Sequence, residues 1–167
     1  MLADTLTPVS VYLRLRDKYP HSLLLESSDY RANDNTFSFI CCNPLASITV
    51  ENEKVTQRFP DGKQLQTEIT PESDIPQLLQ DFAAVFEIEL ENRFKFANNG
   101  LFGYIAYDAV RYFEDIDIAK RNSQLQIPDI HYAVYQNVIA INHFNNEAHI
   151  FSHCYDQENN IPEITQF

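Results

Sequence analysis

Apolar residues recur at the spacing of an amphipathic helix in two segments of the chain. The first segment begins at Thr7-Pro8, because Thr caps helices and Pro suits the first helical position, and it ends at Pro20. The second is predicted to begin at Ser73 or Asp74. The buried faces that this spacing predicts are Val11, Tyr12, Leu15 and Tyr19 in the first helix and Ile75, Leu78, Leu79, Phe82 and Phe86 in the second.

Short apolar or alternating runs elsewhere are typical of β-strands. We expect Asn43-Pro44 to close one of them, Pro60-Asp61-Gly62 to form a hairpin turn, and Asn145-Asn146 to join the last two. A short turn or helix is expected to run through Phe113. The predicted strands are 22–27, 36–42, 47–59, 63–70, 101–107, 130–144 and 147–155. With the two main helices they predict an α+β fold of mostly antiparallel sheet.

The length of 167 residues favours a single domain, which we expect to span 1–155. The remaining residues, 156–167, are polar, rich in Asn and contain Pro. Such a composition is typical of a linker or of a truncation point.

The charge balance disfavours several classes of partner. The chain carries 12 Lys and Arg against 24 Asp and Glu, a net charge of −12, whereas nucleic acids and anionic membranes bind clustered basic residues. No apolar run is long enough to cross a bilayer, and no charged-then-apolar leader is present. Three cysteines, of which Cys41 and Cys42 are adjacent, do not form a disulfide framework. We therefore expect a cytoplasmic protein.

Few residue patterns point to catalysis. Three glycines cannot build a phosphate-binding loop, and Cys42 in an apolar strand is more typical of a small buried hydrophobe than of a reactive thiol. His149 and His153 share a strand face but lie ~13 Å apart, which disfavours one zinc site. We expect the alternating acidic residues Glu87, Glu89 and Glu91 to form a solvated face. We assign no catalytic or metal-binding residue.

Two segments carry more information. An apolar strand that runs into Glu26 and Ser27 supplies an apolar wall, a carboxylate and small donors, which suit a zwitterionic amino acid, although polar strand ends are also typical of turns. Gly100 and Gly103 lie close together in a chain of otherwise bulky residues. Their position indicates unusual backbone angles or a close approach of two backbones, which is favoured over a direct role in ligand binding.

At these segments the sequence resembles the N-terminal portion of anthranilate synthase component I, one of the chorismate-utilising enzymes. The resemblance covers essentially the whole chain but about the first third of such an enzyme. It implies that family's N-terminal fold. The segments that carry it are Leu24 to Asp29, Ser38 to Ile40 with Asn43-Pro44, Gly100 to Glu114, and Ile127 to His143.

The resemblance also implies a function. In this family the segment around Leu25, Glu26 and Ser27 forms part of a tryptophan effector pocket, and Phe37 and Ser38 are further candidates. The residues that bind chorismate and Mg²⁺ lie in the family's C-terminal part, so the chain alone is not expected to be catalytic or to bind tryptophan well. The complete lyase would make anthranilate and pyruvate, with ammonia from a glutamine amidotransferase subunit (component II).

Two alternatives remain at this point. Aminodeoxychorismate synthase component I shares the fold and substrate of the family and holds tryptophan as a structural ligand. A stand-alone binding domain without a C-terminal chorismate-binding domain in cis is the other. The product of the full-length enzyme distinguishes the first alternative, and the reading frame beyond Phe167 distinguishes the second.

Overall fold

A computed structural model describes residues 7–27, 36–86, 96–114, 116 and 127–153. The predicted acidic face at Glu87, Glu89 and Glu91 and the predicted tail at 156–167 lie outside these ranges. The elements are α1 (Pro8–Arg16), β1 (Leu23–Glu26), β2 (Phe37–Glu51), β3 (Lys54–Arg58), β4 (Gln64–Glu68), α2 (Ile75–Ala84), β5 (Phe102–Ile105), a 3₁₀ helix (Tyr107–Tyr112), β6 (Ile130–Asn142) and β7 (Glu147–Ser152).

The chain forms two compact units, and the strands β2 and β6 contribute residues to both. Unit 1 comprises Met1–Pro44, Leu90–Gly100 and Tyr135–Phe167, and its strands are ordered β1-β2-β6-β7. Unit 2 comprises Leu45–Glu89 and Leu101–Val134, with the order β4-β3-β2-β6-β5. The registered strand pairs are antiparallel, which confirms the predicted α+β class.

In unit 1, α1 packs on one face of the sheet. Thr7 caps this helix, since its side chain accepts a hydrogen bond from the Ser10 N–H at 3.1 Å while the Ser10 hydroxyl accepts one from the Thr7 N–H. The predicted apolar stripe is confirmed, because Leu15 is buried in the core and the rest of the stripe packs against it. That core consists of Leu15, Ile40, Ile139, Ile141 and Ala148, with Val11, Tyr12, Tyr19 and Leu24 around it.

In unit 2, α2 supplies aromatic side chains to the core. Asp74 caps the helix by accepting a hydrogen bond from the Gln77 N–H at 2.9 Å. Phe82 is buried, and its ring centroid lies 5.7 Å from that of Phe59 and 5.2 Å from that of Phe86. The predicted helical spacing therefore places Ile75, Phe82 and Phe86 in the core, whereas Leu78 and Leu79 are half-buried.

One predicted strand end is wrong. The strand expected to close at Asn43-Pro44 continues to Glu51 as β2. Asn43 takes a positive φ of 60°, which Asn tolerates better than most residues, and its side-chain amide donates a hydrogen bond to the Gln136 side chain. The Asn-Pro pair therefore lies within a strand without ending it.

A second prediction is also wrong, because 47–59 is not one strand. Asn52 and Glu53 have φ angles of 52° and 61°, and they form the turn between β2 and β3. Two positive φ angles in a row are typical of the tight hairpin turn whose twist matches that of paired strands. Glu at the second position is uncommon there, so the sequence gives only a weak signal for this turn.

The prediction for the clustered glycines is confirmed. Gly100 has a φ of 129°, which side-chain-bearing residues rarely adopt. At Gly103, an added Cβ would lie 1.9 Å from the His131 carbonyl oxygen on the neighbouring strand β6. Gly103 thus allows β5 and β6 to pair at their observed separation.

Gly103→Ala is expected to lower the free energy of unfolding by about 3 kcal/mol, because backbone rather than a flexible side chain occupies the space. Gly62→Ala serves as the comparison. Gly62 has a φ of 81° but nothing within 4 Å of an added Cβ, so we expect a loss of about 1 kcal/mol from backbone strain alone. Urea unfolding of the two variants measures the difference. Equal losses would contradict the close-approach explanation.

Candidate functional site

The residues predicted to form the effector site meet at one corner of the unit 1 sheet. In the antiparallel pair of β1 and β2, Glu26 lies opposite Ser38 and Leu25 lies opposite Phe39. Phe37 is the first residue of β2, and Ser27 directly follows β1. The structure therefore brings together segments that are separated in the sequence.

Side chains of these residues nevertheless point to different faces, since residues alternate along a strand and paired residues share a face. Glu26 and Ser38 lie on the face that also carries Leu24 and Ile40, which is the face covered by α1. Ser38 is 0% exposed, whereas Glu26 and Ser27 are exposed. The Ser38 hydroxyl is hydrogen-bonded to His143 Nε2 at 2.7 Å.

Leu25 and Phe37 lie on the opposite face, beside a group of half-buried rings that we call the aromatic cluster. The Phe37 ring centroid lies 4.5 Å from that of Phe96 and 6.1 Å from that of Phe39. Phe96 in turn contacts two rings on β7, those of His149 at 5.5 Å and Phe151 at 5.9 Å. The aromatic cluster consists of Phe37, Phe39, Phe96, His149 and Phe151.

Local sequence patterns do not indicate the residues that surround the predicted site. His149 and Phe151 are two residues apart on β7, so the sequence alone predicts that they share a face. Phe96 lies outside every predicted element, and His143 lies 105 residues from its partner Ser38. Local patterns carry no information about contacts over such a separation.

A polar cluster in unit 2 was also missed. Arg111 Nη2 donates a hydrogen bond to Asp129 Oδ2 at 2.6 Å, and the Tyr112 hydroxyl donates to the same oxygen at 2.9 Å. Burial and the hydrogen bond to Asp129 raise the pKa of Tyr112, against the effect of Arg111. These contacts join the 3₁₀ helix to the residue before β6, so this cluster has a clear structural role.

Cys42 is a buried apolar residue, as predicted, and so is the adjacent Cys41. Cys41 and Cys42 are 0% and 3% exposed. Burial raises the pKa of both thiols, with the neighbouring Cys42 adding to the effect at Cys41 and a hydrogen bond from Asn137 opposing it at Cys42. Neither thiol is activated as a nucleophile in this environment.

The histidines of β7 and its end have separate surroundings. His149 Nε2 lies 3.7 Å from Glu147 Oε2, whereas His153 Nε2 is hydrogen-bonded to the Asn98 carbonyl oxygen at 2.8 Å. Burial lowers the pKa of His153, against the effect of that hydrogen bond. Within the ranges that the structure describes, no group of three or more His, Cys, Asp or Glu residues is placed to hold a metal ion. No helix in those ranges is long and apolar enough to cross a membrane.

Comparison with known proteins identifies the family. The family model for chorismate binding enzymes matches residues 8–167, and the chain belongs to this family. Within it, the chain is similar to anthranilate synthase component 1 of Lactococcus lactis, with 30% identity over 142 residues that make up 84% of this chain and 28% of the relative. The same protein from Thermus thermophilus is 30% identical over 164 residues, which are 94% of this chain and 32% of that relative.

A solved structure supports the fold. The crystal structure of anthranilate synthase component I from Streptococcus pneumoniae superimposes with a TM-score of 0.53 at 24% identity, and the match covers 92% of this chain and 31% of that chain. The chain therefore has the fold of one region of that protein. It spans less than a third of the length of these relatives.

The burial of the cysteines predicts their reactivity. In a Cys154→Ser variant, Cys41 and Cys42 are expected to resist a thiol reagent at pH 8 in the folded chain and to react fully in urea. Because burial raises both pKa values, the thiolate fraction at a given pH is smaller in the folded state than in the unfolded state. Absorbance of the released chromophore measures the reaction. Rapid labelling of the folded chain would show that these thiols are accessible.

Proposed function

We propose that the chain is the amino-terminal regulatory portion of an anthranilate synthase component I and contributes its tryptophan feedback site. The complete enzyme would act in tryptophan biosynthesis, converting chorismate and ammonia from its amidotransferase subunit to anthranilate and pyruvate. Family membership and the names of the relatives support the enzyme class. The proposed site rests on one observation. Leu25, Glu26, Ser27 and Phe37 lie close together at one corner of unit 1.

The corner combines the chemistry that an aromatic amino acid requires. Leu25 is 36% exposed and lies on the face of the aromatic cluster, which suits an indole ring. Glu26 is exposed on the other face and offers a carboxylate to an ammonium group. Because β1 is the outer strand of unit 1, a ligand can reach both faces around its edge and its end, and Ser27, the first residue after β1, lies at that end.

Catalysis would come from the remaining portion of the enzyme. Chorismate is a dianion, and a chain with a net charge of −12 repels it. We therefore place the residues that bind chorismate and Mg²⁺ in the C-terminal chorismate-binding domain in cis, outside this chain. Mg²⁺ would supply a positive charge to the carboxylates of the substrate there.

Feedback inhibition would then be a linkage effect. Tryptophan inhibits only if it binds one arrangement of the regulatory and catalytic portions more tightly than the other. The chain alone supplies part of the pocket, so we place the other walls in the remaining portion.

An assay of a full-length polypeptide that carries these residues tests the proposal. Chorismate turnover is measured with and without tryptophan in the presence of the amidotransferase subunit, and the product is identified by its fluorescence and mass. We expect anthranilate, formed more slowly when tryptophan is present. Aminodeoxychorismate as the product would overturn the proposed enzyme, and anthranilate formation that tryptophan does not slow would overturn the regulatory role.

Ser27→Arg is expected to keep turnover and to raise the half-inhibitory tryptophan concentration at least about tenfold, because a long charged side chain would fill the end of β1. Ser152→Arg is the matched control, since Ser152 is an exposed serine at the end of another unit 1 strand, β7. Inhibition curves are recorded for both variants. If the Ser27→Arg curve superimposes on that of the wild type, Ser27 is not part of the pocket.

A further inference from the structure

We propose that His143 is a positioning residue of the effector site, which acts by holding the buried Ser38 hydroxyl opposite Glu26. The inference rests on the proposed function and gives His143, the last residue of one segment that carries the resemblance, a role that the resemblance does not imply. His143 lies at the start of the turn between β6 and β7, far from β1 in the sequence.

Ser38 is buried in this chain, and we assign it an indirect role that acts through the groups around it. Its side chain is 0% exposed, and its hydroxyl lies 2.7 Å from His143 Nε2. A buried hydroxyl without a partner costs free energy, so this hydrogen bond stabilises the local arrangement of β2. Any influence of Ser38 on a ligand is therefore transmitted through the groups around it.

The strand register places Ser38 next to a residue of the proposed site. Ser38 is the direct partner of Glu26 in the pairing of β1 with β2. Side chains that face each other in this way have Cβ atoms ~5 Å apart, so a shift of Ser38 moves the surroundings of Glu26. Glu26 on β1 and His143, directly after β6, thus lie on either side of Ser38.

The backbone holds His143 in place. Its N–H donates a hydrogen bond to the Thr36 carbonyl oxygen at 3.0 Å, directly before β2 begins. The residue itself is exposed, so removing its ring costs little packing energy. The link to Ser38 can therefore be broken without removing a core side chain.

The structure contains a matched control. Thr49 Oγ1 lies 3.0 Å from His131 Nδ1, which is a second hydroxyl–imidazole pair between β2 and β6. This pair belongs to unit 2, whereas Ser38 and His143 belong to unit 1. Breaking it tests whether any loosening of β2 against β6 has the same effect.

The experiment measures tryptophan inhibition of full-length enzyme carrying Ser38→Ala, His143→Ala, both changes together, or His143→Gln. The first two variants are expected to raise the half-inhibitory tryptophan concentration about five- to tenfold, the range expected from the loss of one hydrogen bond. The double variant should show no larger effect than either single change. His143→Gln should restore sensitivity, because the Gln amide can take the place of Nε2.

The values of kcat and KM for chorismate should stay unchanged in all of these variants, and so should inhibition of Thr49→Val. Additive effects of Ser38→Ala and His143→Ala, a normal response of His143→Ala, or an equal effect of Thr49→Val would overturn the inference. If Ser38→Ala does not fold, the comparison of His143→Ala with His143→Gln tests the inference, because His143 is exposed. A wild-type enzyme that tryptophan does not inhibit would instead show that the proposed function fails, and the inference with it.

Discussion

The pairing of β2 with β6 is the interaction on which the rest of the described structure depends. In unit 1 the two strands carry β1 and β7 on their outer sides, and in unit 2 they carry β3 and β5. The pair is linked in unit 1 by the Ser38–His143 hydrogen bond and in unit 2 by the Thr49–His131 hydrogen bond. Because β1, β3, β5 and β7 pair directly with one of these two strands, the register of the pair decides which side chains meet in each unit.

Local signals in the sequence were enough to predict most elements. Helix caps at Thr7 and Asp74 and apolar spacing gave both helices, and Gly103 gave the close approach of two strands. The errors lie where a residue tolerates a positive φ without requiring it. Asn43 continues a strand that it was expected to end, and Glu53 forms part of a turn that the sequence barely signals.

The candidate site was predictable only in part, for a physical reason. The family resemblance indicated the residues around Glu26. It did not indicate that Leu25 and Glu26 point to opposite faces of the sheet, which follows from the alternation of side chains along paired strands. Contacts such as those of Phe96 with Phe37 and of His143 with Ser38 join segments far apart in the chain. They depend on strand order, which hydrophobic periodicity does not encode.

The interleaving of the two units has a consequence for biosynthesis. Unit 1 takes its residues from three segments and unit 2 from two, so no single cut of the polypeptide separates them. During translation β1, β2 and β3 emerge well before β6, so the edge of β2 that pairs with β6 stays open while the intervening hairpin and helix are made. Pairing over such a separation is slow, and exposed strands of this kind are prone to aggregate. Nascent chains that end before Ile130 therefore expose one edge of β2 to aggregation.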